Sequence, residues 1–206
     1  MSKLYFEIFD QLRKNIFAKL VFLKQKAVLA GGTAIALQLA HRYSYDFDIF
    51  TQQRIASQRL NQIINIFGKN IKRIVDQPSE LSFLTKEKIK ISLIYFPFPP
   101  LYPMIKTPSL ALLNLKDLAA NKAYTIGRRG EYRDYVDLFF LLKNNLDLKT
   151  IIADAQKKFN GAFSERLFLE QLVYLTDLKD EKVDFYQQSY SSAEIFHFLK
   201  AKVSQY

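Results

Sequence analysis

One stretch, residues 27–51, limits what this 206-residue chain can fold into. It reads AVLAGGTAIALQLAHRYSYDFDIFT and joins a short apolar run, a glycine pair, a helix-like segment and two aspartates. Val28–Ala30 favours a buried strand, and Gly31-Gly32 ends it with residues that tolerate unusual dihedral angles and let a ligand approach the backbone. We expect Thr33 to cap a helix over Ala34–His41. A strand, a glycine turn and a helix N-terminus together form the kind of site that binds phosphate.

Two aspartates follow the predicted helix in the run YDFDIF. In a strand, Asp46 and Asp48 project to one side of the sheet while Phe47 projects to the other. Two parallel carboxylates repel each other and raise each other's pKa unless a cation lies between them. Mg²⁺ is the natural cation, because it prefers carboxylate oxygens and substrate phosphates. A solvated strand face is the alternative, but the glycine turn one helix earlier favours a metal site.

Composition indicates a soluble globular protein with one core, or one core and a helical annex, since 49% of its residues are hydrophobic. Thirty Lys+Arg against 20 Asp+Glu give a formal net charge of +10, which favours an anionic partner such as nucleic acid, nucleotide or an acidic protein. The absence of cysteine excludes disulfides, thiol catalysis and Cys-based zinc sites. No apolar run reaches the length of a membrane span and the N-terminus does not read as a signal peptide, so we expect a cytoplasmic protein without membrane contact.

The run GGTAIALQLAHRYSYDFDIF resembles the signature of the nucleotidyltransferase superfamily, and in particular the AbiEii/AbiGii group of abortive-infection toxins. Three features carry the resemblance: the GGT turn, the Arg-x-Ser formed by Arg42 and Ser44, and the Asp-x-Asp formed by Asp46 and Asp48.

A second motif downstream supports the resemblance. Residues 114–127, NLKDLAANKAYTIG, and 131–145, EYRDYVDLFFLLKNN, read as helices that flank an Arg128-Arg129-Gly130 turn. They resemble the motif in which a Lys on one helix and an Asp-x-x-Asp on the next face the nucleotide. The matching positions are Lys122, Arg133, Asp134 and Asp137. The two aspartates are three residues apart and share a helical face; the alternative is that these charges pair only to join two helices.

The resemblance implies a metal-dependent nucleotidyltransferase, the toxin of a type IV toxin–antitoxin or phage-defence system, that transfers NMP from an NTP to RNA such as tRNA, or to a protein acceptor. It implies Mg²⁺ as cofactor, and a cognate antitoxin as partner. The implied metal ligands are Asp46 and Asp48. The implied nucleotide-binding residues are Gly31, Gly32, Thr33, Arg42, Ser44, Lys122 and Asp137. The implied catalytic residues are Asp46, Asp48, Lys122 and Asp134, with Asp134 orienting the acceptor or the base.

The resemblance also leads us to expect a third carboxylate on a later strand. The aligned position is Ser92 in KIKISLIYF, and a serine cannot supply a charged metal ligand. Either Asp76 or Glu87 serves instead, or two carboxylates suffice, or catalysis is weakened. The alternative functions are therefore a nucleotide- or RNA-binding module that keeps the fold but is catalytically impaired, and a purely structural partner-binding protein.

The predicted fold is α+β, a nucleotidyltransferase-like mixed sheet with flanking helices followed by a C-terminal helical bundle. Residues 1–100 form the first predicted domain and residues 101–206 the second, with a fixed crossing in the proline-rich run FPFPPLYPMIKTP. Residues 2–24 are predicted to form one or two amphipathic helices whose apolar stripe covers the sheet. The remaining predicted helices are 52–67 (ended by Gly68), 148–159, 163–175 and 191–203, and the remaining predicted strands are 71–75, 81–84 and 89–96.

Overall fold

A five-stranded mixed sheet forms the centre of the molecule in the computed structural model, which describes residues 3–174 and 181–206. The strands are β1 (Val28–Leu29), β2 (Phe47–Thr51), β3 (Lys72–Gln77), β4 (Glu80–Leu84) and β5 (Lys90–Tyr95). Their order in the sheet is β1-β2-β5-β4-β3, with β2 parallel to β5 and every other neighbour antiparallel. Helices flank this sheet and continue into a C-terminal bundle, so the predicted α+β class is confirmed.

The α-helices agree with the predicted order but not with every predicted boundary. They are α1 (Gln11–Lys19), α2 (Gly31–Leu39), α3 (Arg59–Phe67), α4 (Leu115–Arg129), α5 (Tyr132–Lys143), α6 (Leu148–Phe159), α7 (Glu165–Val173) and α8 (Ser192–Ser204). Side chains of Asn114, Asp147 and Ser191 accept hydrogen bonds from backbone N–H groups of the first turns of α4, α6 and α8, as N-cap residues do.

Several predicted boundaries are wrong. The segment 2–24 contains one short α-helix, α1, between two 3-10 turns. The helix predicted from residue 52 begins only at Arg59, although Gly68 ends it as expected. The α4 helix continues through Arg129 and α5 begins at Tyr132, so the predicted three-residue turn shrinks to Gly130 and Glu131. The α7 helix ends at Val173, and residue 175 lies outside the described residues.

Strand β2 separates the core from a cleft. Phe47 and Ile49 are fully buried, and the Phe47 ring lies 5.5 Å and 6.4 Å from the rings of Phe9 and Phe17 at the N-terminus. Because neighbouring side chains on a strand alternate, Asp48 faces the opposite side. The predicted covering of the sheet by the N-terminal segment is confirmed.

The proline-rich segment 97–108 is a fixed crossing, as predicted. The fully buried carboxylate of Asp117, on α4, accepts hydrogen bonds from the backbone N–H groups of Leu101 (2.9 Å) and Tyr102 (3.0 Å). It also accepts one from Lys158 Nζ, on α6, at 2.6 Å. A buried carboxylate needs such partners, and here they attach the crossing to two helices.

The chain returns to the sheet after this crossing, since Leu112 forms a parallel bridge with Leu29 of β1. One hydrophobic core contains residues from both halves of the sequence. The division into domains at residue 100 stays a prediction.

Candidate functional site

A cleft of about 440 Å³ lies where the predicted site residues meet. Strands β2 and β5 form one wall and the side chains of α4 face them from the other. The predicted residues that line it are Gly31, Gly32, Arg42, Ser44, Asp46, Asp48, Lys122 and Asp134. Two predicted residues, Thr33 and Asp137, do not line the cleft but lie behind its wall.

The Asp-x-Asp pair lies at the cleft wall. Strand β2 begins at Phe47, so Asp46 immediately precedes the strand and Asp48 belongs to it. Within the described residues, neither carboxylate accepts a hydrogen bond or forms an ion pair. Burial raises the pKa of Asp48; Lys122 opposes this shift and the charge of Asp46 adds to it. These two carboxylates therefore have capacity for a cation.

Ser92 occupies the position beside Asp48 on the neighbouring strand. The two are register partners in the parallel pair of β2 and β5, and Ser92 is buried. Asp76 lies on the outer strand β3, where it pairs with Arg73 (3.1 Å). Glu87 lies in the turn between β4 and β5, and neither acid lines the cleft. In the part of the chain that the structure describes, no group of three or more His, Cys, Asp or Glu side chains could hold a metal.

The two glycines make room for other side chains. Gly31 has a φ of 62°, and a Cβ atom there would lie 2.5 Å from Asp48 Oδ2. A Cβ atom at Gly32 would lie 2.1 Å from Arg42 Nη2. Sequence reasoning assigned these glycines to unusual dihedral angles and to ligand approach; the φ of Gly31 confirms the first, and the structure shows that both glycines also admit a functional side chain.

Thr33 does not cap α2, contrary to the prediction. The helix begins at Gly31 and no side chain caps it. Thr33 is inside the first turn, and its hydroxyl lies 2.7 Å from the Ser44 hydroxyl and donates to the backbone oxygen of Asp46. Thr33 therefore fixes the loop that carries Ser44 and Asp46, while the first N–H groups of α2 remain without a side-chain cap.

Asp137 is the centre of a buried ion cluster. Its Oδ1 accepts hydrogen bonds from Arg42 Nε (2.7 Å) and from His41 Nε2 (2.8 Å). Its Oδ2 accepts one from Arg42 Nη2 (3.0 Å) and lies 2.7 Å from Lys122 Nζ. Burial alone raises the pKa of Asp137, but Arg42, Lys122 and His41 outweigh it and hold that pKa well below its ordinary value. The carboxylate is fully enclosed, so here it positions two cations and does not reach the cleft.

Lys122 and Asp134 connect this cluster to the cleft. Lys122 Nζ donates to Asp134 Oδ1 at 2.7 Å, and Asp134 Oδ2 accepts from the backbone N–H of Glu131 at 2.9 Å in a capping box of α5. Burial lowers the pKa of Lys122, but Asp137 and Asp134 outweigh it, so the net shift is upward and the ammonium stays charged. These charges do join α4 to α5, as the alternative reading had it, and Lys122 and Asp134 also line the cleft.

Comparison with known proteins identifies the family. The family model described as "Nucleotidyl transferase AbiEii toxin, Type IV TA system" matches residues 16–193. The chain belongs to the AbiEii family. It is 32% identical over 184 residues to an uncharacterized protein of Aquifex aeolicus, and this alignment covers 86% of each of the two chains.

Solved structures show the same fold as this AbiEii protein. MenT4, a nucleotidyltransferase toxin from Mycobacterium tuberculosis, superposes with a TM-score of 0.65 at 12% identity, covering 94% of this chain and 81% of that one. A putative nucleotidyltransferase from H. pylori gives 0.57 at 19% identity, covering 96% and 95%. The predicted family and its nucleotidyltransferase fold are thus confirmed, and the family implies a nucleotide substrate and a cognate antitoxin. No helix in the described residues is both long and apolar enough to cross a membrane.

Sequence reasoning did not predict several residues that line the cleft of this AbiEii protein. Lys90 lies on β5, two positions before Ser92, and Asn121 lies on α4 beside Lys122. Alternation along β5 and helical spacing along α4 could have indicated both. His41, which the sequence analysis placed only at the end of a predicted helix, is a direct partner of Asp137, and burial lowers its pKa despite that carboxylate.

The segment that begins at residue 181 closes one side of the cleft. Tyr45 donates its hydroxyl proton to Asp184 Oδ2 (2.7 Å), and the backbone N–H of Tyr43 donates to the Asp184 oxygen (2.8 Å). Arg133, a motif position, pairs with Glu181 at 3.2 Å and is half exposed. The loop before the Asp-x-Asp pair is therefore fixed by Thr33 of α2 and by Asp184 of the C-terminal segment.

Proposed function

We propose that this AbiEii protein is a cytoplasmic, Mg²⁺-dependent nucleotidyltransferase that transfers NMP from an NTP to an RNA acceptor such as tRNA, or to a protein. One observation carries the proposal: the carboxylates of Asp46 and Asp48, which have no partner among the described residues, share a cleft with Lys122 and with the N-terminus of α2, which no described side chain caps. In this transfer the acceptor hydroxyl forms a bond to the α-phosphorus, and the bond from that phosphorus to the bridging oxygen breaks. The hydroxyl loses its proton, and pyrophosphate leaves.

The residues present fit Mg²⁺. Protein-bound Mg²⁺ commonly has one or two carboxylate ligands and takes its other ligands from substrate phosphates and water. Asp46 and Asp48 supply those two carboxylates and have no competing partner in the described chain. When bound, the metal neutralises charge on the triphosphate and on the departing pyrophosphate.

Other groups of the cleft bind phosphate oxygens in this proposal. The first N–H groups of α2, at Gly31 and Gly32, point to an anion site and carry the positive end of the helix dipole. A lysine ammonium has three N–H donors; Lys122 donates one to Asp134 and forms an ion pair with Asp137, which leaves a donor for a phosphate. Ser44 also lines the cleft; its hydroxyl proton, which Thr33 accepts because the Thr33 hydroxyl donates to the Asp46 oxygen, has to turn toward a phosphate oxygen to bind it.

Arg42 and Asp137 support the phosphate-binding groups from behind. Two guanidinium N–H groups of Arg42 are committed to Asp137 and a third donates to the Tyr43 oxygen at 3.0 Å. Arg42 therefore contributes positive charge to the cleft in a fixed position. Asp134 keeps unused lone pairs at the cleft, with which it accepts a hydrogen bond from the acceptor. The net charge of +10 favours a polyanionic acceptor, hence RNA.

Incubation with each labelled NTP, Mg²⁺ and total tRNA tests the proposal. We expect label to move to RNA and pyrophosphate to be released by the wild-type chain, and both to disappear in Asp46→Ala and Asp48→Ala. Label that moves to protein identifies the other acceptor class. Absence of any transfer, with growth inhibition retained in both variants, would overturn the enzymatic function.

Ser92 favours a second candidate, a nucleotide- or RNA-binding module that keeps the fold but is catalytically impaired. A serine beside Asp48 leaves the proposed metal site with two carboxylates, those of Asp46 and Asp48, in the described residues. Such a module binds NTP in calorimetry but releases no pyrophosphate when Mg²⁺ is added, which separates it from the enzyme.

A further inference from the structure

The side-chain amide of Asn121 is a polar group of the cleft that the proposed transfer leaves unused. Both Nδ2 and Oδ1 are buried, and neither has a hydrogen-bond partner among the described residues. Burying an unpaired amide opposes folding, and interior polar groups almost always have partners. Asn121 lines the cleft, so a ligand in the cleft is the available source of a partner.

Helix α4 places Asn121 between a charged part and an apolar part of the cleft. Leu118, Asn121, Lys122 and Thr125 all line it, with the spacing of one helical face. Leu118 lies one turn before Asn121, and Lys122, which we assign to phosphate, follows directly. The amide is therefore within one helical turn of both regions.

The opposite wall, formed by β2 and β5, also changes from polar to apolar side chains along the cleft. Along β2, Asp48 is followed on the same side by Phe50, and along β5, Ser92 is followed on the same side by Ile94. Phe50 and Ile94 are register partners, and both line the cleft. Beyond the carboxylates, both walls contribute apolar side chains, Phe50, Ile94 and Leu118, next to the Asn121 amide, which has no partner among the described residues.

We propose that Asn121 hydrogen-bonds the Watson–Crick edge of the NTP base and sets the base preference, while Phe50, Ile94 and Leu118 pack against the faces of that base. The inference rests on the proposed function, because a triphosphate held at Lys122 and the α2 N-terminus places the base toward this apolar end. Sites of this kind combine apolar contact with a few polar groups that fix orientation.

An amide held in one orientation separates the four bases into two pairs. Adenine and cytosine present an exocyclic amino donor next to a ring-nitrogen acceptor, whereas guanine and uracil present a carbonyl acceptor next to a ring N–H donor. One orientation of the Asn121 amide matches the first pair and the flipped orientation matches the second. No hydrogen bond among the described residues fixes the Asn121 amide, so the preference for one pair requires that packing of the bound base against Phe50, Ile94 and Leu118 selects one orientation of the amide.

Calorimetric titration of ATP, CTP, GTP and UTP in the presence of Mg²⁺ tests this inference without turnover. We expect the wild-type chain to bind one pair about tenfold or more tighter than the other, the scale of a good bidentate base contact. Asn121→Ala brings the ratio to within about twofold of one, by weakening the preferred pair. Thr125→Val is the matched control. The Thr125 hydroxyl lies on the same helical face but already donates to the Asn121 backbone oxygen at 2.9 Å, so the affinity ratio between the two pairs should stay as in wild type.

A second variant gives a readout that needs no nucleotide. Asn121→Leu keeps a similar volume and removes the unpaired amide, so the ligand-free protein should melt at a higher temperature than wild type. A melting temperature well below wild type would show that the amide has a structural role and would overturn the inference. Equal binding of all four NTPs by wild type, or an unchanged ratio in Asn121→Ala, would overturn it and leave the proposed function intact. Failure of every NTP to bind wild type would overturn both.

Discussion

Asp48 and Ser92 lie directly opposite each other on the parallel strands β2 and β5, so a serine occupies the position where the family resemblance leads us to expect a third carboxylate. The residues that flank Ser92 on the same face of β5, Lys90 and Ile94, line the cleft. An acidic residue at position 92 would therefore add a third carboxylate beside Asp46 and Asp48.

Ser92→Asp should raise the affinity for Mg²⁺, on the order of tenfold, because affinity follows the number of charged ligands. Without metal, the same variant should be less stable than wild type, since a second buried carboxylate then lies beside Asp48. Mg²⁺ titration and denaturant unfolding with and without metal measure the two effects. Ser82→Asp is the control: Ser82 is the register partner of Ser92 on β4, one strand further from Asp48, and should lose stability without gaining metal affinity. Equal Mg²⁺ affinity in Ser92→Asp and wild type would contradict the metal site.

Asp48→Asn should abolish Mg²⁺-dependent pyrophosphate release and leave the fold intact or slightly stabilised. The carboxylate has no hydrogen bond or ion pair in the described residues, and burial disfavours its charge. Pyrophosphate assays and thermal unfolding check the two halves of this prediction. Asp76→Asn, which removes an exposed carboxylate on β3, is expected to change neither quantity by much. A large loss of stability in Asp48→Asn would show that the carboxylate is structural.

Acidification should remove metal binding before it unfolds the protein. Burial raises the pKa of Asp48, so protons compete with Mg²⁺ at a pH above that at which an ordinary aspartate titrates. The pKa of Asp137 is held well below its ordinary value by Arg42 and Lys122 despite burial. The stability that Asp137 contributes is present above its unfolded-state pKa and is lost as the pH falls through the lower folded-state pKa. Parallel titrations of Mg²⁺ binding and circular dichroism should therefore show two separate transitions, and a single shared transition would contradict the assignment.

Local signals in the sequence predicted the elements and most of the cleft. Strand alternation around Asp48 and helical spacing from Lys122 to Asp134 are short-range patterns, and the structure brings these residues together. Residues 52–58 show where such patterns fail. Ile55 continues an apolar spacing typical of a helix, but its backbone N–H donates to the Pro78 oxygen in the turn between β3 and β4 at 2.9 Å. A tertiary contact thus replaces the first helical turns.

The cluster around Asp137 could not be predicted in the same way. The pairing with Lys122 on α4 was among the expectations from sequence, but Arg42 and His41 come from the loop after α2, about 95 residues away, and no local pattern joins them to Asp137. The role of Gly32 depends on the same cluster, because the space at this glycine is filled by the Arg42 side chain that Asp137 holds. Spacing identified the residues, but only the packing shows which of them reach the cleft.

Gly32→Ala should destabilise the protein by about 1–3 kcal/mol, the usual cost of forcing an extra group into a packed site. The new Cβ atom would lie 2.1 Å from Arg42 Nη2, so Arg42 must leave its two hydrogen bonds to Asp137 or the α2 N-terminus must shift. Denaturant unfolding measures the loss. Gly161→Ala is the control, because a Cβ atom there meets nothing within 4 Å. Equal stability of both variants would show that the Arg42–Asp137 geometry is not constrained by the glycine.

Asp137→Asn should cost about 3–5 kcal/mol of unfolding free energy, because it leaves the buried charges of Arg42 and Lys122 without their shared counter-ion. Asp134→Asn should cost less, since Asp134 lies at the edge of the cleft and contacts only Lys122 among the cations of the cluster. Denaturant unfolding ranks the two variants. NTP affinity shows whether Asp137 positions Arg42 and Lys122 or contacts the nucleotide itself. If it positions them, a folded Asp137→Asn protein should bind all four NTPs more weakly by a similar factor, because Arg42 and Lys122 are no longer held in place. An Asp137→Asn protein as stable as wild type would contradict the buried cluster, and with it the inference that Asp137 acts on the nucleotide only through Arg42 and Lys122.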